Sequence, residues 1–424
     1  MKRVALLPAV LVAAGFGLVS CGGGVNITKP PSGLTTRVLA SQSVLSPATF
    51  PGLVIIDAAN DTLPRASEIS AGSSPGLMAI SPERTILLAF DSVTNSVQVV
   101  NTKTEALTGS IQLPGPTSSM VALATGSGYA AVPTATLIGS PPGAVVAMNL
   151  MSGGITATIG VPNAQTLVAD PGGTQLLVFS GDSDAVTMVS PLLVNIANPV
   201  TAVVSGFDRP VYGIFAGDGT AYILNCGAEC GGKQASVQIL DFSTTPPSAG
   251  ASVSVDGATI GFLSGSTLYV AGVSPTNNSC SGQTPPPTTC GRLDSVDLGS
   301  MTMTSSAVIT DGYHDRIDIS ANGQLFIGSH TCTNIGNVNN PQGEVRGCLS
   351  IFNTTNATVV IPPDNGDVTG LQSFTSRYVE YVAEGGNLRV YDTTKDILQL
   401  DSVTPGGSIG ITGLIIDVKA VDFF

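Results

Sequence analysis

The chain of 424 residues has no tryptophan, only two histidines, and a charged fraction of 11%. Its 16 Lys and Arg are scattered, whereas a phosphate backbone requires clustered cations, so the composition excludes a nucleic-acid-binding protein. Charged helix formers are scarce beside 50 Gly and 28 Pro, which argues against a helical fold. At 43% hydrophobic residues the chain is also too apolar for disorder.

Few residues are available for chemistry. A histidine-dependent mechanism must use His314 or His330, and neither belongs to a Ser-His-Asp signature, a nucleophile elbow or a zincin helix. His314-Asp315-Arg316 precedes a predicted strand that would line the centre of the fold. We therefore expect no catalytic residues. The one alternative is that His314-Asp315-Arg316 places a polar group at the centre of the fold.

The amino terminus has the pattern of a signal peptide over residues 1–20, with basic Met1-Lys2-Arg3 before the apolar stretch Val4–Val19. Leu18-Val19-Ser20-Cys21 then resembles the lipobox of bacterial lipoproteins. The resemblance implies cleavage before Cys21 and lipidation of Cys21 with palmitate-type chains, which would anchor the protein in a membrane. Gly22 in place of Asp implies the outer membrane, and residues 21–35 are predicted to be a flexible tether. The alternative is an ordinary secretory signal in which Cys21 is incidental.

One short pattern, alternating apolar residues that end in a small polar or acidic residue, recurs eight times at spacings of 39 to 56 residues. The copies are Val54–Asp57, Val97–Asn101, Val145–Asn149, Val186–Ser190, Val237–Asp241, Leu293–Asp297, Leu349–Asn353 and Leu388–Asp392. Around each copy, turn residues separate short apolar segments, as at 78–80, 86–90, 97–101 and 107–113. Four antiparallel strands every 40–50 residues or so are the unit of a β-propeller blade.

Ser81–Gly115 and Asn387–Thr393 resemble the YVTN-type β-propeller repeat, and the lack of Trp argues against WD40 and quinoprotein blades. We predict an all-β propeller of eight four-stranded antiparallel blades over residues 36–424, with seven blades as the alternative and a pair of β-sandwiches as the simpler rival. The first blade lacks one strand, and Leu414–Val418 is one strand left over. Pairing this strand with Arg37–Ala40 would close the ring and remove two exposed edges.

Six further cysteines fall in the fifth, sixth and seventh copies, each pair between the second and third strands. The spacing favours three local disulfides, Cys226–Cys230, Cys280–Cys290 and Cys332–Cys348, which suit an oxidising compartment. A cysteine-rich metal site around Cys226 and Cys230 is the rival interpretation.

These insertions, with 274–292 and 331–347 the longest, are the best candidates for a binding surface because ordered loops on a rigid scaffold bind at low entropic cost. The candidate contact residues are Glu229, Lys233, Arg292, Glu344 and Arg346. Alternatively, the loops only resist proteases.

Asp182-Ser183-Asp184 and Asp364-Asn365-Gly366-Asp367 offer oxygen ligands for Ca²⁺, but turn chemistry explains them equally well, so we expect no cofactor or metal.

The sequence thus favours a lipid-anchored propeller of the cell envelope that binds or assembles a protein or glycan partner and does not bind nucleic acid. The alternatives are a hydrolase, by analogy with propeller lactonases that share the repeat, and a purely structural envelope protein.

Overall fold

The computed structural model describes residues 30–43, 52–65, 67–194, 199–217, 219–274, 290–332, 335–336, 345–346, 348–362, 366–374, 376–398, 408–411 and 413–422. Their strands form eight antiparallel sheets of four or five strands, which are the blades of a β-propeller, and one separate two-stranded hairpin. The predicted eight blades are confirmed, and the alternatives of seven blades and of two sandwiches are wrong.

The strands follow the repeat in chain order. Blade 1 begins with β1 Arg37–Ser43, β2 Gly52–Asp57 and β3 Glu68–Ile69. Blade 2 contains β4 Pro75–Ile80, β5 Ile86–Asp91, β6 Ser96–Asn101 and β7 Ala106–Gln112. Blade 3 contains β8 Ser119–Ala122, β9 Ser127–Val132, β10 Ala144–Asn149 and β11 Gly154–Gly160. Blade 4 contains β12 Ala164–Ala169, β13 Leu176–Ser180, β14 Ala185–Val189 and β15 Val200–Ser205.

The later blades carry the insertions. Blade 5 contains β16 Pro210–Gly217, β17 Thr220–Asn225, β18 Ser236–Asp241 and β19 Ser248–Ser254. Blade 6 contains β20 Ile260–Ser264, β21 Thr267–Val273, β22 Gly291–Asp297 and β23 Thr302–Ile309. Blade 7 contains β24 Tyr313–Ile319, β25 Gln324–His330, the small hairpin of β26 Ile335–Gly336 and β27 Val345–Arg346, then β28 Leu349–Asn353 and β29 Val359–Val360. Blade 8 contains β30 Val368–Phe374, β31 Val379–Glu384, β32 Asn387–Asp392, β33 Ile397–Leu398 and β34 Ser408–Ile409, and β35 Leu414–Ala420 completes blade 1.

Two 3₁₀ turns, Pro191–Leu193 and Gly227–Cys230, interrupt the strands. Among the described residues, no helix has the length and apolar character needed to cross a membrane.

In blades 2 to 8 the first strand lies at the centre of the ring, and in blade 1 the closing strand β35 lies there. These inner strands are neighbours in the order β35, β4, β8, β12, β16, β20, β24 and β30, after which the ring returns to β35. In blades 2 to 6, the pairing of the third and fourth strands shifts register at an equivalent position, as between Val99 and Val100. Such bulges increase the local twist of the outer strands, so the repeated position contributes to the common shape of the blades.

Apolar side chains fill the wedges between blades. Between blades 2 and 3, for example, Val97 and Ile111 pack in one cluster with Ala130 and Val146, all of them buried. Alternate residues of one strand enter opposite wedges because side chains alternate between the two faces of a sheet. Each blade is therefore buried on both faces, which explains the nearly continuous apolar second and third strands.

The ring closes between the two ends of the described chain. β1 pairs with β35 in antiparallel register, with Val38 opposite Ala420 and Ala40 opposite Val418, as the sequence predicted. The Arg37 guanidinium adds a buried clamp, since its Nε and Nη2 donate to both carboxylate oxygens of Asp422 at 2.9 and 2.7 Å. Its Nη1 donates to Glu105 of blade 2 at 2.8 Å. Glu105 also accepts the backbone N–H of Ser32 at 2.6 Å, within the segment interpreted as a tether.

Arg37→Ala should destabilise the folded ring because it leaves Glu105 and Asp422 without their shared cation. Removing one partner of a buried ion pair costs about 3–5 kcal/mol, and we expect a loss of that size in the free energy of unfolding measured with denaturant. Lys395→Ala is the control, because Lys395 pairs with Asp392 at 3.2 Å on the exposed surface. Equal stability of the two variants would contradict a closing role for Arg37.

Candidate binding site at the channel mouth

A cavity of about 780 Å³ opens at one end of the central channel. It lies where the inner strands begin and where loops join second to third strands, and we call it the channel-mouth cavity. Its polar lining includes hydroxyl and amide side chains from blades 3, 4 and 6, namely Ser118, Ser119, Asn163, Gln165, Ser180, Ser183 and Thr259. Two tyrosines, Tyr212 and the half-exposed Tyr313, add aromatic surface.

A second, smaller cavity of about 330 Å³ is lined by turn residues between first and second strands, such as Asp170 and Gly173. Met120, Leu167 and Tyr212 line both cavities. The two cavities therefore adjoin at these three side chains, which give the channel-mouth cavity part of its apolar surface.

Acids and bases are balanced in the channel-mouth cavity. Three carboxylates and three cations line it, in the pairs Asp182 and Arg209, Asp315 and Arg316, and Asp417 and Lys419. Two of the pairs are direct hydrogen bonds, Arg316 to Asp315 at 2.9 Å and Lys419 to Asp417 at 2.8 Å. The third is longer, with Arg209 Nη1 3.7 Å from Asp182 Oδ1. A formally neutral cavity results in a protein whose net charge is −13.

Three residues, Arg209 among them, have a backbone conformation that is uncommon for residues other than glycine. Asn163, Asp182 and Arg209 all have positive φ, at 47°, 59° and 56°, and we call them the Arg209 corner. Arg209 also precedes Pro210, where an extended backbone is favoured, so its conformation is strained. Hydrogen bonds on both sides fix it: Arg209 N–H donates to Asp184 Oδ1 at 3.2 Å, and its carbonyl accepts Cys226 N–H at 2.9 Å.

A disulfide loop forms one wall of the cavity. Cys226 and Cys230 are bonded across the 3₁₀ turn, and Cys230 lines the cavity. The Asp208 carboxylate accepts backbone N–H groups of Lys233 and Gln234 at 2.9 and 2.8 Å, which holds the loop against the base of β16. The predicted disulfide is confirmed, and the cysteine-rich metal site proposed as its rival is wrong because both thiols are used in the bond.

The other predicted disulfides lie in the neighbouring blades. Cys332 and Cys348 are bonded and enclose the β26–β27 hairpin. Cys290 is also disulfide-bonded, and its predicted partner Cys280 lies outside the described residues. Within the described part of the chain, the only three metal-ligating side chains that converge are Cys332, Cys348 and Asp367. Two of these are the bonded cysteines, which cannot offer thiolates.

The structure describes the side chains of three of the five predicted contact residues. Lys233 is exposed, Arg292 is buried in blade 6, Glu344 lies outside the described residues, and of Arg346 only the backbone in β27 is described. Glu229 is engaged within the fold, since its Oε2 accepts the N–H of Val273 at 2.8 Å and so joins the blade 5 loop to blade 6. Cys21 also lies outside the described residues.

The acidic stretches considered for Ca²⁺ have other partners. Asp182 and Asp184 flank Arg209, with Asp184 Oδ1 3.9 Å from Arg209 Nε. Asp367 accepts the N–H of Thr331 at 2.8 Å, and Asp364 lies outside the described residues. The expectation that the protein binds no cofactor or metal stays a prediction, which these contacts do not test.

The two histidines differ in their burial and in their hydrogen-bond partners. His314 is fully buried, its Nε2 donates to the Thr310 carbonyl at 2.9 Å, and burial lowers its pKa to about 4. His330 Nε2 lies 2.7 Å from Oδ2 of Asp315, and Asp315 lines the cavity. The expectation that His314-Asp315-Arg316 precedes an inner strand was wrong, because all three lie within β24. A register shift between His314 and Arg316 accompanies this arrangement: His314 is buried, while the other two line the cavity.

Sequence reasoning missed Arg209, Lys419 and Asp417. The only local signal for Arg209 is the Asp208-Arg209-Pro210 sequence directly before a predicted inner strand. Lys419 and Asp417 lie in the closing strand, next to apolar residues that gave no reason to single them out.

Neither a protein-family model nor a curated protein matches the chain. Among solved structures, it is similar to dihydro-heme d1 dehydrogenase NirN in complex with DHE, with a TM-score of 0.60 and 10% identity over 93% of this chain and 79% of NirN. It is also similar to a functionally unknown protein from Desulfotomaculum acetoxidans DSM 771, with a TM-score of 0.50 and 12% identity over 77% of this chain and 98% of that protein. At such identities the similarity is one of fold.

Burial raises the pKa of Glu229 to about 7, against the opposing effect of the Val273 hydrogen bond. The folded protein therefore holds this proton more tightly than the unfolded chain, so ionisation of Glu229 destabilises the fold. Stability should fall as pH rises from about 4.5 to 7, by up to about 3 kcal/mol from this residue.

Glu229→Gln should remove that part of the pH dependence, seen as a difference from the wild type in denaturant unfolding at pH 5 and pH 8. Glu83→Gln, which removes one exposed carboxylate, is the matched control. A wild-type pH profile retained in Glu229→Gln would contradict the assignment.

Proposed function

We propose that the protein is a lipid-anchored binding module of the cell envelope and that its propeller binds a saccharide in the channel-mouth cavity. The observation that carries this proposal is the cavity itself, about 780 Å³, concave, lined by hydroxyl, amide and ion-paired side chains. Small-molecule sites typically measure about 300–1,000 Å³, whereas protein interfaces are broad and flatter.

The lining suits a ligand rich in hydroxyl groups. Each sugar hydroxyl both donates and accepts hydrogen bonds, so it needs donors and acceptors side by side. Asn163, Gln165 and the Arg209–Asp182 pair supply both within one part of the wall. The half-exposed ring of Tyr313 offers a flat apolar surface for the C–H face of a sugar ring.

A rigid wall favours binding. The Cys226–Cys230 disulfide, the Asp208 hydrogen bonds and the contact from Glu229 to Val273 hold the blade 5 loop in place before a ligand arrives. Pre-ordering of this kind lowers the entropic cost of association. The loops that the sequence singled out thus act, in this proposal, mainly as supports for the cavity.

Ser183→Trp, which places a bulky ring at the half-buried edge of the cavity, should weaken saccharide binding at least about tenfold by occluding the site. Binding would be measured by calorimetry with the full chain in detergent and a panel of envelope oligosaccharides. Ser92→Trp is the matched control, on the corresponding loop of blade 2 but away from the cavity lining. Capture of an envelope protein that both variants abolish, with no saccharide bound, would favour a protein partner on this face.

The proposed lipid anchor at Cys21 can be tested separately. Cys21→Ser should abolish incorporation of labelled palmitate and release the protein from the outer-membrane fraction, because no thiol remains to carry the lipid. Ser20→Ala keeps a small residue before the cysteine and should be labelled normally. Full labelling of Cys21→Ser would rule out the lipoprotein proposal.

The second candidate is a hydrolase, favoured by one contact. Asp315 lines the cavity and lies 2.7 Å from His330, an arrangement that orients an imidazole as a general base. Turnover of a lactone panel that disappears in His330→Gln would favour this alternative, and saccharide binding without turnover would favour the binding module.

A further inference from the structure

We infer that the channel-mouth cavity selects an uncharged sugar and that Arg209 and Asp182 together hold one of its hydroxyl groups. This inference rests on the proposed saccharide-binding function and adds the charge class of the ligand and the residues that recognise it.

The Arg209 guanidinium has N–H groups available to donate hydrogen bonds to a ligand. Its side chain is only 26% exposed, and it makes no hydrogen bond to any residue in the described ranges. Arg37, Arg316 and Arg377, by contrast, each donate to a carboxylate within 3 Å. The two carboxylates near the guanidinium, Asp182 at 3.7 Å and Asp184 at 3.9 Å, are too distant to accept its hydrogen bonds. A partly buried guanidinium whose N–H groups lack acceptors favours a ligand that supplies them.

The spacing within the Arg209 corner fits a bridging hydroxyl. Arg209 Nη1 lies 3.7 Å from Asp182 Oδ1, too far for a direct hydrogen bond. An oxygen at ordinary distances of roughly 2.8–2.9 Å from both atoms can accept from the guanidinium and donate to the carboxylate at once. Only a group that is both donor and acceptor satisfies the two partners, and a hydroxyl is such a group.

The electrostatics disfavour charged saccharides. A uronate or sulfate at Arg209 would meet Asp182 and Asp184, whose carboxylates lie within 4 Å of the guanidinium. A protonated amino sugar would meet the cations Arg209, Arg316 and Lys419. Every cation of the cavity has an acid beside it, so a charged sugar of either sign meets a like charge. An uncharged sugar ring meets no such repulsion.

The test compares hexasaccharides of three charge classes with the full chain in detergent. The panel contains neutral α- and β-linked hexoses and N-acetylhexosamines, uronates, and deacetylated amino sugars, each titrated at 50 and 300 mM salt. We expect the tightest binding from a neutral member, with little dependence on salt. Arg209→Gln should weaken it about tenfold or more, since hydrogen bonds to charged groups are lost, whereas the exposed Arg65→Gln should not.

A second variant separates recognition from folding. Asp182→Asn with Asp184→Asn removes the two carboxylates beside Arg209 and should shift preference toward uronates, a change that a merely structural role would not produce. Tighter, salt-sensitive binding of uronates or amino sugars by the wild type would overturn the inference and leave the saccharide proposal standing. Failure of every saccharide to bind the wild type would overturn both.

Discussion

The pairing of β1 with β35 is the constraint on which the rest of the molecule depends. Each blade is covered on both faces only because it has a neighbour on each side, and a ring interrupted at one point would expose two wedge surfaces. The cluster between blades 8 and 1 illustrates this, since it combines Val38 of β1, Val418 of β35 and Tyr381 of β31. The Arg37 clamp then joins the closing blade to blade 2 through Asp422 and Glu105.

Closure also completes the channel-mouth cavity. Lys419 and Asp417 line the channel-mouth cavity and belong to β35, so the cavity has its full charge balance only when the last strand is in place. The same aspartate accepts the N–H of Met78 in β4 at 2.9 Å, which connects the site to the next inner strand. Fold and cavity are therefore coupled: the strand that seals the ring also supplies part of the cavity lining.

Contacts around the blade 5 loop maintain the shape of the cavity. Asp208, Glu229 and the Cys226–Cys230 bond hold the loop of blade 5, while a strained backbone aims Arg209 inward. Strain of this kind persists only where surrounding contacts enforce it, here the hydrogen bonds to Asp184 and from Cys226. The polar face of the propeller is accordingly rigid where it meets the cavity.

Much of the architecture could be predicted because it follows from local patterns that recur. The predicted strands of blade 2 begin and end within about three residues of β4 to β7, and the cysteines lie between second and third strands as expected. The surroundings of single side chains could not be predicted in the same way. Glu229 has the polarity of a surface contact, but whether a carboxylate faces solvent or a backbone N–H of the next blade is not encoded in its neighbours along the chain.

The amino-acid sequence by itself determined the repeat, the number of blades and the ring closed by its two ends, since alternating apolar strands and turn residues act over a few positions. Only the tertiary structure decided which polar groups meet in the cavity. Arg209 and Asp182 come from different blades, and Lys419 comes from the far end of the chain. Their proximity results from the curvature of the ring, which brings the innermost strand of every blade to one axis, and no local pattern carries that information.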